Sequence, residues 1–364
     1  MTLASNYEQE SRAESNNSCS GKSLPWLFSP SVDLCTFLGS AIIALGLLAI
    51  GAPLGLLDRE TPEWTWIVAI LMIDVAHVYS TGFRVYFDRE ELVNRPWLYG
   101  LTPILAFAMG IAVYSESSSL FWRLLAYLAV FHFIRQQYGW VALYRSRAGE
   151  SGRWGKWIDT TTIYLATVYP LIYWHTHLPR KFFWFLEGDF AKLPDFVSTV
   201  AAPMYWAAMA AYTCKAIYQG VALKQFNPGK DIVVLTTAVC WYVGIILFDS
   251  DYAFTVTNVI IHGIPYMVLV YWYSVKARPR ERSGNLRFLV RFLGVIWILA
   301  YLEELLWDTG IWHERTWLFG GSLDLTSVQL FLVPLLAVPQ ITHYVLDGFI
   351  WRRRTNTRFS KLVQ

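Results

Sequence analysis

Four histidines carry the sequence's most specific chemistry: His77 in MIDVAHVYS, His132 in FHFIRQQYGW, His262 in TNVIIHGIPY and His343 in PQITHYVLDGFIW, each well inside an apolar run. Ionisable groups in such runs are costly and are kept chiefly for function. Neutral imidazole is a ligand for iron, copper and zinc, and helical bundles build metal sites from side chains on facing helices. A ligating imidazole also needs a polar neighbour to fix its ring and tautomer. Each histidine has one a helical turn away on the same face. Asp74 lies three before His77, Gln136 four after His132 and Asn258 four before His262, while His343 has Gln340 three before and Asp347 four after. His77, His132, His262 and His343 are therefore expected to ligate one metal. Asp74, Gln136, Asn258, Gln340 and Asp347 are expected to orient them or hold a water. Tyr138, Tyr266 and Tyr344 are placed to line the pocket or donate protons, against a default role in helix packing.

A lone histidine in a membrane helix more commonly makes an interhelical hydrogen bond. What favours a shared site is the joint pattern of four at similar depth, each with a partner. His175 and His177, in YWHTHLPRK, and His313, in IWHERTW, fall at span ends and read as interfacial. Arg135, three after His132, is expected to pair with Asp74 or Asp347, or else to bind an anionic head group. Glu303 and Glu304 are expected to be solvated at the membrane interface.

The elements that must position these residues follow from composition. Hydrophobic residues make up 55% of the 364 and charged residues 16%, and the mean hydropathy is positive. With repeated apolar runs of roughly 20 residues, this indicates a polytopic helical membrane protein rather than soluble domains. A net charge of +3 is too small to imply nucleic acid, and no basic stripe with interleaved aromatics appears outside the loops, so no nucleic-acid partner is expected. Cys19, Cys35, Cys214 and Cys240 lack C-x-x-C spacing, which signals neither a zinc site nor a disulfide framework.

Ten spans are expected at about 34–57, 64–83, 98–114, 120–143, 157–174, 197–218, 231–248, 252–274, 286–307 and 328–351. Pro103, Pro170, Pro203, Pro265, Pro334 and Pro339 fall inside them, and Pro265 and Pro339 flank histidines, where a kink opens space. Residues 1–33 read as a disordered polar tail, 34–351 as the transmembrane domain and 352–364 as a basic tail. The segment 180–195 is expected to lie along the membrane surface. Lys and Arg concentrate on alternate connections, including Arg84, Arg89, Arg95, Arg145, Arg147, Arg153, Lys156, Lys215, Lys224, Lys230, Lys276, Arg278, Arg280, Arg282 and Arg287, and in the C-terminal segment. The positive-inside rule then puts both termini in the cytoplasm. In that topology the four histidine spans all run inward, with the histidines 7 to 13 residues from their cytoplasmic exits, roughly 10 to 20 Å at helical rise. They can share one layer.

Membrane desaturases use clustered histidine boxes and membrane cytochromes b use paired histidines on one helix, and neither pattern is present. In the plan of its helical core, with single histidines contributed by separate spans, the chain resembles the Brp/Blh-type carotene dioxygenase family. That resemblance implies a polytopic enzyme with a histidine-held iron, and it assigns no individual residue. The function expected is a membrane-embedded non-haem iron oxidoreductase or oxygenase, with copper or zinc as alternative metals. It would act with dioxygen on a lipid-like substrate, such as an isoprenoid or acyl chain, in a bacterial inner (plasma) membrane. The alternative is a proton-coupled transporter or channel using the same residues as a relay.

Overall fold

A computed structural model of the protein describes residues 24–59, 61–277, 285–354 and 356–363. It is all-helical, with no strand among the described residues. Ten helices of 20 residues or more occur among them: α1 (Pro30–Gly51), α2 (Glu63–Arg84), α3 (Pro96–Glu116), α4 (Ser118–Arg147), α5 (Arg153–Thr176), α6 (Phe196–Ile217), α7 (Pro228–Leu247), α8 (Asp251–Lys276), α9 (Asn285–Trp307) and α10 (Thr326–Ile350). Six of these, α1, α2, α3, α7, α8 and α10, are long and apolar enough to cross a membrane.

Local chemistry starts several of the helices where it should. Ser29 caps α1, its hydroxyl accepting from the Val32 N–H with Pro30 in the first turn, and Ser117 caps α4 by accepting from the Leu120 N–H. Pro103, Pro170, Pro203, Pro265, Pro334 and Pro339 all lie inside continuing helices. Two histidine helices are π-wound just before the histidine, α2 over Trp66–Val75 and α8 over Thr255–Val259. Such turns interrupt the regular register and recur at functional sites.

Three peripheral segments differ from the sequence-based expectation. Residues 1–23 lie outside the described set, but the remainder of the expected N-terminal tail is fixed. Asp33 accepts from the Leu27 N–H at 2.7 Å and from the Tyr144 hydroxyl at 2.7 Å, which ties the chain entering α1 to α4. The expected basic tail is likewise anchored. Residues Thr357–Val363 form a helix, Phe359 is fully buried against Trp351 and Tyr273, and Asn356 donates to Glu91 Oε2 at 3.1 Å. One apolar anchor and buried polar contacts outweigh the arginine-rich composition there. The stretch 180–195 is a loop whose aromatics plug the bundle: Phe182 stacks on Phe254 with centroids 3.8 Å apart, and Phe190 is buried beside Trp174.

The basic residues are not all free topological markers either. Where α4, α5, α6 and α7 meet, Asp159 is fully buried and is contacted by Arg145, Lys215 and Lys230. Glu150 completes the group, accepting from Lys230 at 2.7 Å, Arg145 at 3.0 Å and Asn227 at 2.7 Å. Arg278, Arg280 and Arg282 lie outside the described residues.

Candidate metal centre

α2, α4, α8 and α10 bring the four histidines together in the bundle interior, where His77, His132, His262 and His343 are 1%, 3%, 0% and 1% exposed. Gly263 makes one of these approaches possible, since a Cβ there would lie 2.5 Å from the Ile73 side chain and 3.1 Å from its carbonyl. With only hydrogen in that space, α8 lies against α2 and His262 reaches His77.

The imidazoles meet edge to edge through the same nitrogen. His77 Nε2 and His262 Nε2 are 3.2 Å apart, and His343 Nε2 and His132 Nε2 are 3.1 Å apart. The rings form a closed circuit, with centroid separations of 4.7 Å for His77–His262, 5.0 Å for His262–His132, 4.6 Å for His132–His343 and 4.8 Å for His343–His77. His77, His132 and His262 place one ligand nitrogen each within 4.8 Å of one another, a buried three-histidine group able to hold a metal ion. His343 joins this group through its contact with His132.

The donor set fits a metal on two counts. Imidazole nitrogens at about 2.0–2.1 Å from a tetrahedral zinc stand about 3.3–3.4 Å from each other, close to the two contacts seen. Three of the four outward nitrogens face polar groups, the usual arrangement for ligating histidines. His77 Nδ1 is 3.5 Å from Asp74 Oδ1 and His132 Nδ1 is 3.7 Å from Asp347 Oδ2, both longer than a closed hydrogen bond. His343 Nδ1 is 2.7 Å from Thr81 Oγ1, which in turn is 3.0 Å from the Tyr266 hydroxyl. Buried polar atoms still without a hydrogen-bond partner occur on the residues that touch the cluster, among them Asp74 Oδ1, Gln136 Oε1, His262 Nδ1 and Asp347 Oδ1.

Several residues are placed otherwise than their spacing suggests. Asp347, one turn from His343, faces His132 across the helix interface. Gln136 donates to the His262 carbonyl at 2.7 Å, bracing the α8 backbone rather than the His132 ring. Asn258 donates to Phe254 O and Thr257 Oγ1, because the one-turn relation presumes a regular helix and Asn258 stands in the π-wound turn. Gln340 approaches Glu303 Oε1 at 3.5 Å, not His343. Tyr266 and Tyr344 do pack on the cluster, Tyr266 at 5.0 Å from His343 and Tyr344 stacked 4.8 Å from His132. Tyr138 is turned away and stacks on Tyr164.

Arg135 pairs with neither expected carboxylate. It is exposed, donates to the Tyr164 hydroxyl and lies over the Tyr138 ring. Glu303 is buried, not solvated, and accepts from Trp307 Nε1 at 3.2 Å. His175 is buried but spoken for, its ring bonded to the Leu171 carbonyl at 2.7 Å and the Tyr127 hydroxyl at 3.1 Å, while His177 and His313 are exposed. Two contributors had little sequence signal. Thr81 could be found only as the residue four after His77, and Phe133, beside His132, stacks on His262 with centroids 3.5 Å apart.

Comparison with family models, curated proteins and solved structures finds no match to the chain. The chemistry of the centre is thus the ground for a functional reading.

The outer contacts set an order of metal affinities. Asp347→Asn and Thr81→Val should each weaken metal binding about 10–100-fold, the usual cost of losing such a partner. Asn258→Ala, whose side chain faces its own helix, should change it little. Competition with a chelator of known affinity measures all three, and equal losses from all three variants would contradict the assignment.

Proposed function

We propose that the protein is a membrane-embedded oxidoreductase in which His77, His132, His262 and His343 hold a non-haem iron, acting on a lipid-like substrate with dioxygen as oxidant. The observation that carries this reading is the closed circuit of four buried imidazoles with Nε2 atoms turned inward and polar groups behind three of them. An all-imidazole donor set suits iron, copper or zinc, and of these iron is assigned because the proposed reaction with dioxygen needs a redox-active metal with a position left for a small ligand. Bound iron supplies the redox chemistry. Tyr344 and Tyr266 hold protons at hydroxyls beside the ring circuit, and Phe133 covers one face of His262 against water.

The proposal includes ten membrane spans, with α4, α5, α6 and α9 crossing alongside the six more apolar helices, and both termini on the cytoplasmic side. A site enclosed by spans is reached most directly by a substrate already dissolved in the bilayer. Elemental analysis of protein purified without added metal tests the reading. About one equivalent of iron is expected; copper at that level would replace the iron assignment, whereas zinc, which has no redox chemistry, would end the oxidoreductase reading. Folded protein holding less than about a tenth of an equivalent of any metal would end the enzyme reading and leave a proton relay, as in a transporter.

A further inference from the structure

Outside the metal centre, the structure carries a groove of about 400 Å³ between α3, α4 and α10. We propose that this groove binds a single hydrocarbon chain entering sideways from the bilayer, and that Tyr344 is the wall separating the end of that chain from His132. This deepens, and rests on, the reading of the four-histidine centre as an enzyme site.

Three observations lead there. The groove is within the size range of small-molecule sites, and its lining, including Met109, Leu124, Leu128 and Val345, is apolar throughout except for Thr102. The Thr102 hydroxyl already donates to the Leu98 carbonyl at 2.6 Å. A ligand there meets no free hydrogen-bonding group, so the part it buries must be hydrocarbon. Second, the open side is exposed where Leu105, Met109 and Leu124 stand on the outer flank of the bundle, facing lipid in the proposed topology. The inner side is held by close packing of α3 on α10, where a Cβ on Gly110 would sit 2.9 Å from the Pro334 side chain.

Third, the groove adjoins the metal centre. Leu128 is one turn before His132 on the same face of α4. Tyr344 and the groove-lining Ile341 both pack against the apolar cluster that contains the groove-lining Phe121 and Leu125, and the Tyr344 ring stacks on His132 at 4.8 Å. One partly buried ring thus joins the apolar cluster that lines the slot to an imidazole of the circuit. Ordinary bilayer lipid would line every outward surface, whereas a built slot concentrates a chain at this one.

Photolabelling of the full-length protein in lipid nanodiscs with a diazirine-bearing palmitate tests the assignment. Labelling should concentrate in 102–113, 121–128 and 341–345, and Met109→Trp or Leu124→Trp, which fill the slot from either wall, should lower it about tenfold. Excess hexadecane or squalene should compete, and the stronger competitor tells a linear from an isoprenoid chain. Tyr344→Ala should extend labelling to His132. Labelling spread across exposed positions such as Leu286 and Val290, or unchanged by both tryptophan variants, would overturn the groove, as would failure of both competitors. Metal measured on the same samples separates the two readings. Bound metal with diffuse labelling defeats the groove alone, and focal labelling without metal keeps the groove while removing the enzyme reading.

Discussion

His77→Ala, His132→Ala, His262→Ala and His343→Ala should each lower metal affinity by more than about a hundredfold, beyond the 10–100-fold cost of losing an outer partner. The reason lies in the circuit. Every ring touches two others at centroid separations of 4.6 to 5.0 Å, so removing one opens the cage to its neighbours as well as deleting a ligand. The comparison that gives the experiment its force is His175→Ala. His175 is also buried, yet its nitrogens are used by Leu171 and Tyr127, so that variant should cost stability and keep its metal. His343 is the most informative of the four, since it stands outside the closely spaced His77, His132 and His262 group and meets it through its Nε2 contact with His132 and its ring contact with His77. Metal retained in His343→Ala and lost in the other three would reduce the centre to three histidines. Metal retained in two or more variants would dissolve it.

The second large effect is one of stability. Replacing Asp159 with Leu should cost about 3–5 kcal/mol, the range seen when one member of a buried ion pair is removed. Arg145, Lys215 and Lys230 would then face Glu150 alone in a region nearly closed to water. Removing the partners as well should recover much of the loss, because uncompensated charge is what costs most. Equilibrium unfolding in mixed micelles reads the difference. A loss of under about 1 kcal/mol, typical of a solvent-exposed pair, would mean that water reaches Asp159 freely.

How much of this was legible beforehand varies with the kind of interaction. Hydropathy marks the helices, because burial against lipid or protein needs long apolar runs whatever the packing. The histidines stand out for the same reason, as polar exceptions in those runs. Their union needed only that four helices meet at one depth. What stayed hidden was set between helices. Spacing along α10 ties Asp347 to His343, but the packed interface gives it to His132, and Thr81 serves a ring on a different helix. A one-turn rule also fails where the backbone is π-wound, as at Asn258. Charge pattern misled in a similar way. Arg145, Lys215 and Lys230 read as loop cations marking one membrane side, but their carboxylate partners come from Glu150 and Asp159, which no local pattern connects to them.

The four histidines proposed as ligands come from α2, α4, α8 and α10, and this order along the chain constrains when such a site can form. In the proposed topology, a nascent chain inserting helix by helix would present His77 and His132 early, hold them through several further insertions, and gain His343 only with α10. The segment that follows, through Asn356, closes back onto Glu91 beside the end of α2. In the proposed four-histidine site, metal binding would then be completed only once α10 is in place. A ribosome stalled before α10 should release a bundle with an incomplete cage, and cells starved of metal during synthesis should still be able to load the finished protein afterwards.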